Sequence, residues 1–393
     1  MRERVCVTGI GMITPIKPFQ GMDEFWNALC SGEDVIKKMK PPMLKHDKEW
    51  LMASIDLSDF PNPVNPEDKL QFLVEKAFTM ARDDAHLQGD QTTGLSLGTV
   101  LGNVLCKEKR LMEQKTYHRG YCLEKESLSY ITSHLVSKYK VNGPGITVST
   151  ACASGTDAIG VAARKILAGK ADCMIAGGVD VLSDFAITGF HAFQAITEEK
   201  VRPFDKNRSG LAFGEGAAFV VLESERCAVQ RKAKIYGSFL GYASRADAHH
   251  MTGPHKEGRG LAHAITQALL QANLKPDEID YINAHGTGTV YNDLMETKAI
   301  KKALGNAAYD IPISSTKSML GHSFGAAGVI EAICCLLSMN TGTIPPTINF
   351  QERDPACDLD YVPNVARKHR VKVALSLSAG FGGQNSALVF GEL

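Results

Sequence analysis

Ten short apolar runs punctuate this chain, and their spacing limits its fold more than any other feature. Arg4 to Thr14, Leu95 to Gly102, Ile146 to Thr150, Cys173 to Gly177 and Ala217 to Leu222 read as a first series of strands. A second series comprises Ile235 to Ser244, Ile279 to Ala284, Ile311 to Ser315, Val371 to Ser376 and Ser386 to Phe390, with helices near 258–273, 293–304 and 325–340. Strands this apolar are covered on both faces, so the pattern predicts a layered α/β protein with parallel or mixed sheets. The two series also look alike. Each holds a strand ending in Ser-Thr (Ser149-Thr150, Ser315-Thr316), then a Gly-rich turn, then an Ala- and Gly-rich helix that stops at Gly169 or Gly342. This suggests a duplicated unit, with halves at 1–234 and 235–393. The stretch from Pro41 to Pro66 is proline-rich and charged, lacks a helical period, and reads as a surface loop excursion.

Composition serves mainly to exclude. With 393 residues, 44% of them hydrophobic, the chain can fill a large core. Lys plus Arg equals Asp plus Glu at 43 each, so no overall charge favours nucleic acid as a partner. The N-terminus enters Val5-Cys6-Val7-Thr8-Gly9-Ile10 without a signal-type hydrophobic segment, so a cytoplasmic location is expected. The best candidate for a membrane span, Val329 to Met339, falls short of the roughly 20 residues required and contains Glu331, so no membrane partner is expected. Ten cysteines without any C-x-x-C pair read as mostly reduced and buried, and no metal is expected. Gly9-Ile10-Gly11 hints at a nucleotide-binding turn, but Pro15 follows and neither a third glycine nor a helix start appears.

Chemistry concentrates at four places. In Val148-Ser149-Thr150-Ala151-Cys152-Ala153-Ser154-Gly155, a cysteine stands where a strand gives way to a helix, whose amide dipoles would lower the thiol pKa. The small neighbours leave room for a ligand, although a buried core cysteine fits the same position. His285, in Asn283-Ala284-His285-Gly286-Thr287-Gly288-Thr289, lies at the carboxyl end of a strand; His322 follows another strand, five residues after Lys317. Either histidine could be structural. The apolar helix after His322 carries Glu331, which needs a cation if buried, and Lys317 is the proposed partner. Finally, Ser378-Ala379-Gly380-Phe381-Gly382-Gly383-Gln384-Asn385 sets three glycines around one Phe, either a tight turn or a backbone approach to a ligand.

Taken in order, Cys152, His285, His322 and Gly380-Phe381-Gly382-Gly383 closely resemble the β-ketoacyl-[acyl carrier protein] synthases, particularly the elongating type II enzymes. Phe204-Asp205-Lys206-Asn207-Arg208-Ser209-Gly210, Phe213-Gly214-Glu215-Gly216-Ala217, Asp247-Ala248-His249-His250-Met251-Thr252 and Pro345-Pro346-Thr347-Ile348-Asn349 extend the resemblance over nearly the whole chain. It implies a thiolase-like, duplicated five-layer α-β-α-β-α fold, as a homodimer or a heterodimer with a ketosynthase-like chain. It also implies a decarboxylative Claisen condensation: Cys152 takes an acyl group from an acyl carrier protein, and malonyl carrier supplies the enolate. No cofactor would be bound, the substrates riding on the phosphopantetheine of the carrier. The Cys152 and Phe381 amides would form the oxyanion hole, with Phe381 as gate and both histidines as donors to the malonyl thioester. Lys317 paired with Glu331 would fix His322.

The resemblance further implies that Thr252, Thr287, Thr289 and Ala379 line the pantetheine and substrate path, and that Lys69 and Arg202 belong to the carrier-docking face. Three departures stand out. Glu67 and Asp68 beside Lys69 make that face less basic, the segment from Phe193 to Arg202 is short, and Ala379 replaces a second Phe near the gate. Chain preference is thereby open, and with it the choice between fatty-acid and polyketide or polyene synthesis. The alternative is a non-catalytic, chain-length-factor-type subunit, against which Cys152 argues. A thiolase or a starter synthase using coenzyme A thioesters is a further reading, and the Cys-His-His set favours decarboxylation over thiolase chemistry.

Overall fold

Every one of the ten expected strands enters a single run of hydrogen-bonded strands. The computed structural model describes residues 3–41, 48–58, 64–65, 68–87, 92–113 and 123–393. Its main strands are β1 (Val5–Ile13), β2 (Thr93–Gly98), β3 (Gly145–Val148), β4 (Cys173–Asp180), β5 (Gly216–Ser224), β6 (Gly237–Ala246), β7 (Tyr281–Asn283), β8 (Ile313–Ser314), β9 (Val373–Gly380) and β10 (Gln384–Gly391). The helices that matter below are α1 (Lys69–Asp84), α2 (Ser154–Leu167), α3 (Asp184–Ala192), α4 (Arg259–Ala272), α5 (Val290–Leu304) and α6 (Ala327–Thr341).

The duplication is explicit in the strand order. Across the first half it runs β1-β5-β4-β2-β3 and across the second β6-β10-β9-β7-β8, the same arrangement of first, fifth, fourth, second and third strand. Directions repeat as well: two antiparallel pairings, then two parallel ones. The half-sheets join through a short antiparallel contact of Val5, Cys6 and Val7 with Phe239, Ser238 and Gly237.

Helices α2 and α6 occupy equivalent places in the repeat and pack on each other between the half-sheets, α1 covers the first half-sheet, and α4 with α5 covers the second. That is the five-layer thiolase-like architecture. Two glycines permit the central contact. A β-carbon on Gly155 would fall 2.5 Å from the Gly325 carbonyl oxygen, and one on Gly328 would fall 2.0 Å from Thr156 Oγ1. Helix α6 is buried on all sides from Ala327 to Ser338, Cys334 and Cys335 included, so each large apolar side chain there contributes about 1.5–3 kcal/mol of burial. The stretch Phe324–Thr341 has a mean hydropathy of 1.5 but is core, 89% buried. Cys6, Cys30, Cys152, Cys173, Cys227, Cys334, Cys335 and Cys357 are free.

The loop expected between Pro41 and Pro66 needs correction in part. Trp50–Ala53 forms a strand, pairing antiparallel with Lys37–Met39 and in parallel with Phe213–Gly214. The apolar run Trp50-Leu51-Met52-Ala53 explains this, since Met52 and Ala53 are wholly buried. Residues 42–47, 59–63 and 66–67, Glu67 among them, lie outside the described residues.

Candidate active site

The chain turns sharply between β3 and α2, and Cys152 stands in that turn. Ala151 takes a φ of 50°, strained for a residue with a side chain, and Ser154 clamps the bend by accepting from the Thr150 N–H at 2.9 Å and donating to the Ala151 carbonyl at 2.6 Å. Thr150 also donates its hydroxyl to Asp157 at 2.7 Å, and Asp157 accepts from Tyr242 at 2.9 Å and from Ser386. The first turn of α2 is thereby tied to β6 and β10 of the other half. Cys152 is 5% exposed.

One sequence expectation fails here. Burial pushes the Cys152 thiol up to about 12, outweighing the Lys317 charge and the amides of Phe381 and Cys152, all of which favour the thiolate. Cys152 therefore rests as a thiol.

His285 follows β7 and is gripped from behind. Glu296 of α5 accepts from the His285 N–H at 2.6 Å and from the Gly286 N–H at 2.8 Å. Lys317 donates to the His285 carbonyl at 2.6 Å, lies 3.3 Å from His285 Nδ1, and pairs with Glu331. The pair is as expected, but its contact is corrected: Lys317, opening the short helix Lys317–Leu320 after β8, reaches His285 and makes no hydrogen bond to His322. With Nδ1 facing an ammonium, the ring proton of His285 sits on Nε2. Burial, then Lys317, then His322 hold the His285 pKa well below its usual range; burial and Lys317 do the same for His322. Both imidazoles are neutral. Burial raises Glu296 to about 8 and Glu331 to about 7.

The rings of His285 and His322 meet edge to face with centroids 5.2 Å apart, and one ligand-type atom each from Cys152, His285 and His322 lie within 4.8 Å of one another. A soft metal could use such donors, but it would face the Lys317 ammonium on His285, so the set suits a nucleophile and two polar partners better. All three line a cavity of about 370 Å³, together with Thr252, Thr287, Thr289, Ala379 and Phe381. Gly380 lies close enough to the Cys152 amide that an added β-carbon would be 3.0 Å from its nitrogen, while Gly382 and Gly383 take φ of 82° and 74°. The turn is locked by Gly382 N–H to Met251 O at 2.7 Å and Asp247 N–H to Gly383 O at 2.8 Å.

Two docking candidates fare differently. Lys69 is a correction: its ammonium is committed to Glu215, the Ser54 hydroxyl at 3.2 Å and the Ile55 carbonyl at 2.9 Å, so it is not free to meet a partner. The buried Glu215 draws it inward. Arg202 pairs with Glu199 at 3.0 Å beside the Thr287–Thr289 turn. The space beside Ala379 is bordered by Phe190, stacked on Phe381 at 4.8 Å and 14°, and by Phe193, edge-on to Phe381 at 5.9 Å. His191 turns away to Trp50, 4.5 Å between centroids.

Sequence reasoning missed Asp180, Asp293 and Glu296. Asp180 accepts from the Val100, Leu101 and Gly325 amides at 2.9, 2.9 and 2.7 Å, tying β4 to the turn after His322. Asp293 accepts from the Phe204 amide at 2.8 Å. Acids at positions 293 and 296, three apart on the helix after His285, were the available signal.

Residues 2–228 match the beta-ketoacyl synthase N-terminal domain and residues 236–351 the beta-ketoacyl synthase C-terminal domain. Over 418 residues the chain is 38% identical to 3-oxoacyl-[acyl-carrier-protein] synthase 2 of Synechocystis sp., spanning 99% of this chain and 98% of that one. A type II polyketide ketosynthase, solved in complex with its acyl-carrier protein and bound to the hexaketide, superposes with a TM-score of 0.92 at 32% identity over 100% of both chains. The ishigamide ketosynthase/chain length factor gives 0.88 at 33% identity, again over 100% of both chains.

Proposed function

Because this chain belongs to the beta-ketoacyl synthase family, and so is a condensing acyltransferase of fatty-acid or polyketide synthesis, we propose that Cys152, His285 and His322 divide the reaction as follows. Cys152 is the nucleophile. His285 carries its proton on Nε2 and can only donate toward the cavity, so His322 accepts the thiol proton as sulfur attacks the acyl carrier thioester. The Cys152 and Phe381 amides receive the oxyanion. The carbon–sulfur bond to pantetheine breaks, and the departing thiolate takes the proton back from His322.

Malonyl carrier then enters. His285 Nε2–H and an N–H of His322 donate to its thioester oxygen, carbon dioxide leaves, and the enolate attacks the acyl carbon on Cys152. Cys152 departs as thiolate and takes a proton from water. Lys317, held by Glu331, keeps His285 in the donor tautomer and is a positioning residue. Thr252, Thr287 and Thr289 line the path of the pantetheine arm, and Arg202, beside the Thr287–Thr289 turn, is assigned to the carrier-docking face.

The reading includes carrier-bound substrates without a free cofactor, a cytoplasmic setting, halves at 1–234 and 235–393, and assembly with a second ketosynthase-like chain, as a homodimer or heterodimer. Support comes from the repeated five-strand order on either side of that boundary and from solved relatives bound to a carrier protein or paired with a chain length factor. The cluster of Cys152 with two neutral imidazoles in one cavity carries the proposal and favours the catalytic subunit over the chain-length-factor type. Intact-protein mass spectrometry tests it: wild type should gain one acyl mass from an acyl carrier substrate, and Cys152→Ala none. An equal, stable adduct on Cys152→Ala overturns the assignment.

A further inference from the structure

The two imidazoles are held by different forces. His285 has Lys317 at its ring and Glu296 on its backbone. His322 is 1% exposed, yet neither of its ring nitrogens makes a hydrogen bond among the described residues. Its backbone is fixed, with its N–H on the Ala212 carbonyl at 2.8 Å and its carbonyl receiving the Gly214 N–H at 3.0 Å. A fixed backbone still leaves the side-chain torsions to be chosen. The ring lies on Phe324, centroids 5.4 Å apart and planes 25° from parallel. Phe324 stacks in turn on Phe213 at 5.3 Å and 18°, and Phe190 packs edge-on against both.

Phe324 has a φ of 49°, an unfavourable conformation for a residue with a side chain, and the next amide, Gly325, is anchored on Asp180 at 2.7 Å. Backbone strain is thus retained where it delivers a phenyl ring to the face of an imidazole. Aromatic stacking fixes the plane of a ring without consuming its nitrogens, whereas a hydrogen bond would occupy one of them. We propose that Phe324 is a positioning residue that orients His322 by stacking, so that both nitrogens stay free to take the Cys152 proton and to donate to the substrate oxygen. The inference rests on the role given to His322 above.

The test compares Phe324→Leu, Phe324→Tyr and His322→Ala in the full chain, with circular dichroism to confirm folding. Phe324→Leu should lose about ten- to a hundred-fold in condensation kcat, with KM for malonyl carrier changed less than about twofold. Restoring a ring in Phe324→Tyr should recover most of the rate. In ¹⁵N-histidine spectra the His322 resonances should shift and broaden in Phe324→Leu and return in Phe324→Tyr. An inactive His322→Ala beside a fully active Phe324→Leu overturns the proposal alone, as do unchanged His322 resonances in Phe324→Leu or a Tyr variant no better than Leu. Full activity of His322→Ala overturns the role of His322 and the proposal with it.

Discussion

The Lys317 ammonium donates to the carbonyl oxygen of His285 at 2.6 Å, so this buried cation contacts the first histidine and makes no hydrogen bond to the second. Its counter-ion Glu331 comes from the opposite side, on α6, and both side chains are at most 3% exposed. The central helical layer and the end of β7 are thus joined through a buried charge.

Lys317→Ala leaves the Glu331 carboxyl buried without its cation, at the cost of an unpaired charge or of the proton that neutralises it, and should lower stability by up to about 3–5 kcal/mol. The double variant Lys317→Met with Glu331→Leu should recover most of that stability while condensation stays impaired. Urea denaturation measures the first and a condensation assay the second. A single variant as stable as wild type contradicts the buried-pair argument.

Glu296 gives a pH dependence whose sign follows from its raised value. The folded state holds its proton up to about pH 8, the unfolded chain only to the ordinary carboxyl range near 4.5. Between those limits the fold binds more protons, so this group's contribution to stability is full below about pH 4.5 and is lost as pH rises through 8. Thermal midpoints measured across that window should fall less steeply with pH in Glu296→Gln than in wild type.

The buried thiol predicts slow alkylation of Cys152 at neutral pH. Its rate with iodoacetamide should climb roughly tenfold per pH unit through pH 9 without a plateau, since the thiolate fraction is what reacts. A plateau near pH 7 would mean that the helix terminus and Lys317 prevail over burial after all.

His285→Ala should suppress malonyl decarboxylation while acylation of Cys152 proceeds, whereas His322→Ala should impair both steps, because only His322 has a nitrogen free to accept the thiol proton. Single-turnover measurements separate the two. Equal acylation rates in the two variants would remove His322 as the base.

Phe193 stands edge-on to Phe381 beside the small Ala379. Ala379→Phe should reduce acylation by bulky or rigid unsaturated chains more than by short saturated ones. Phe193→Ala in the same background should restore them. An unchanged selectivity profile in both variants would show that this corner does not choose the chain.

Strand positions, the duplication and the order of Cys152, His285, His322 and Phe381 were legible in the chain itself. Each rests on local information: a run of buried strand residues, a strand-to-helix change of period, a cluster of glycines. The Lys317–Glu331 pair was legible for a related reason, since a carboxylate in an apolar helix demands a cation.

What the chain left undecided is whatever depends on direction in space. Spacing could not say whether Lys317 would meet His285 or His322, nor that Glu296 would lie behind His285, nor that Glu215 would claim Lys69. The thiol of Cys152 shows the reason most clearly. A helix terminus is a local feature that favours the thiolate, and it is present. The opposing penalty is burial, a property of everything packed around the sulfur from both halves of the fold, and it exists only once the tertiary structure has formed.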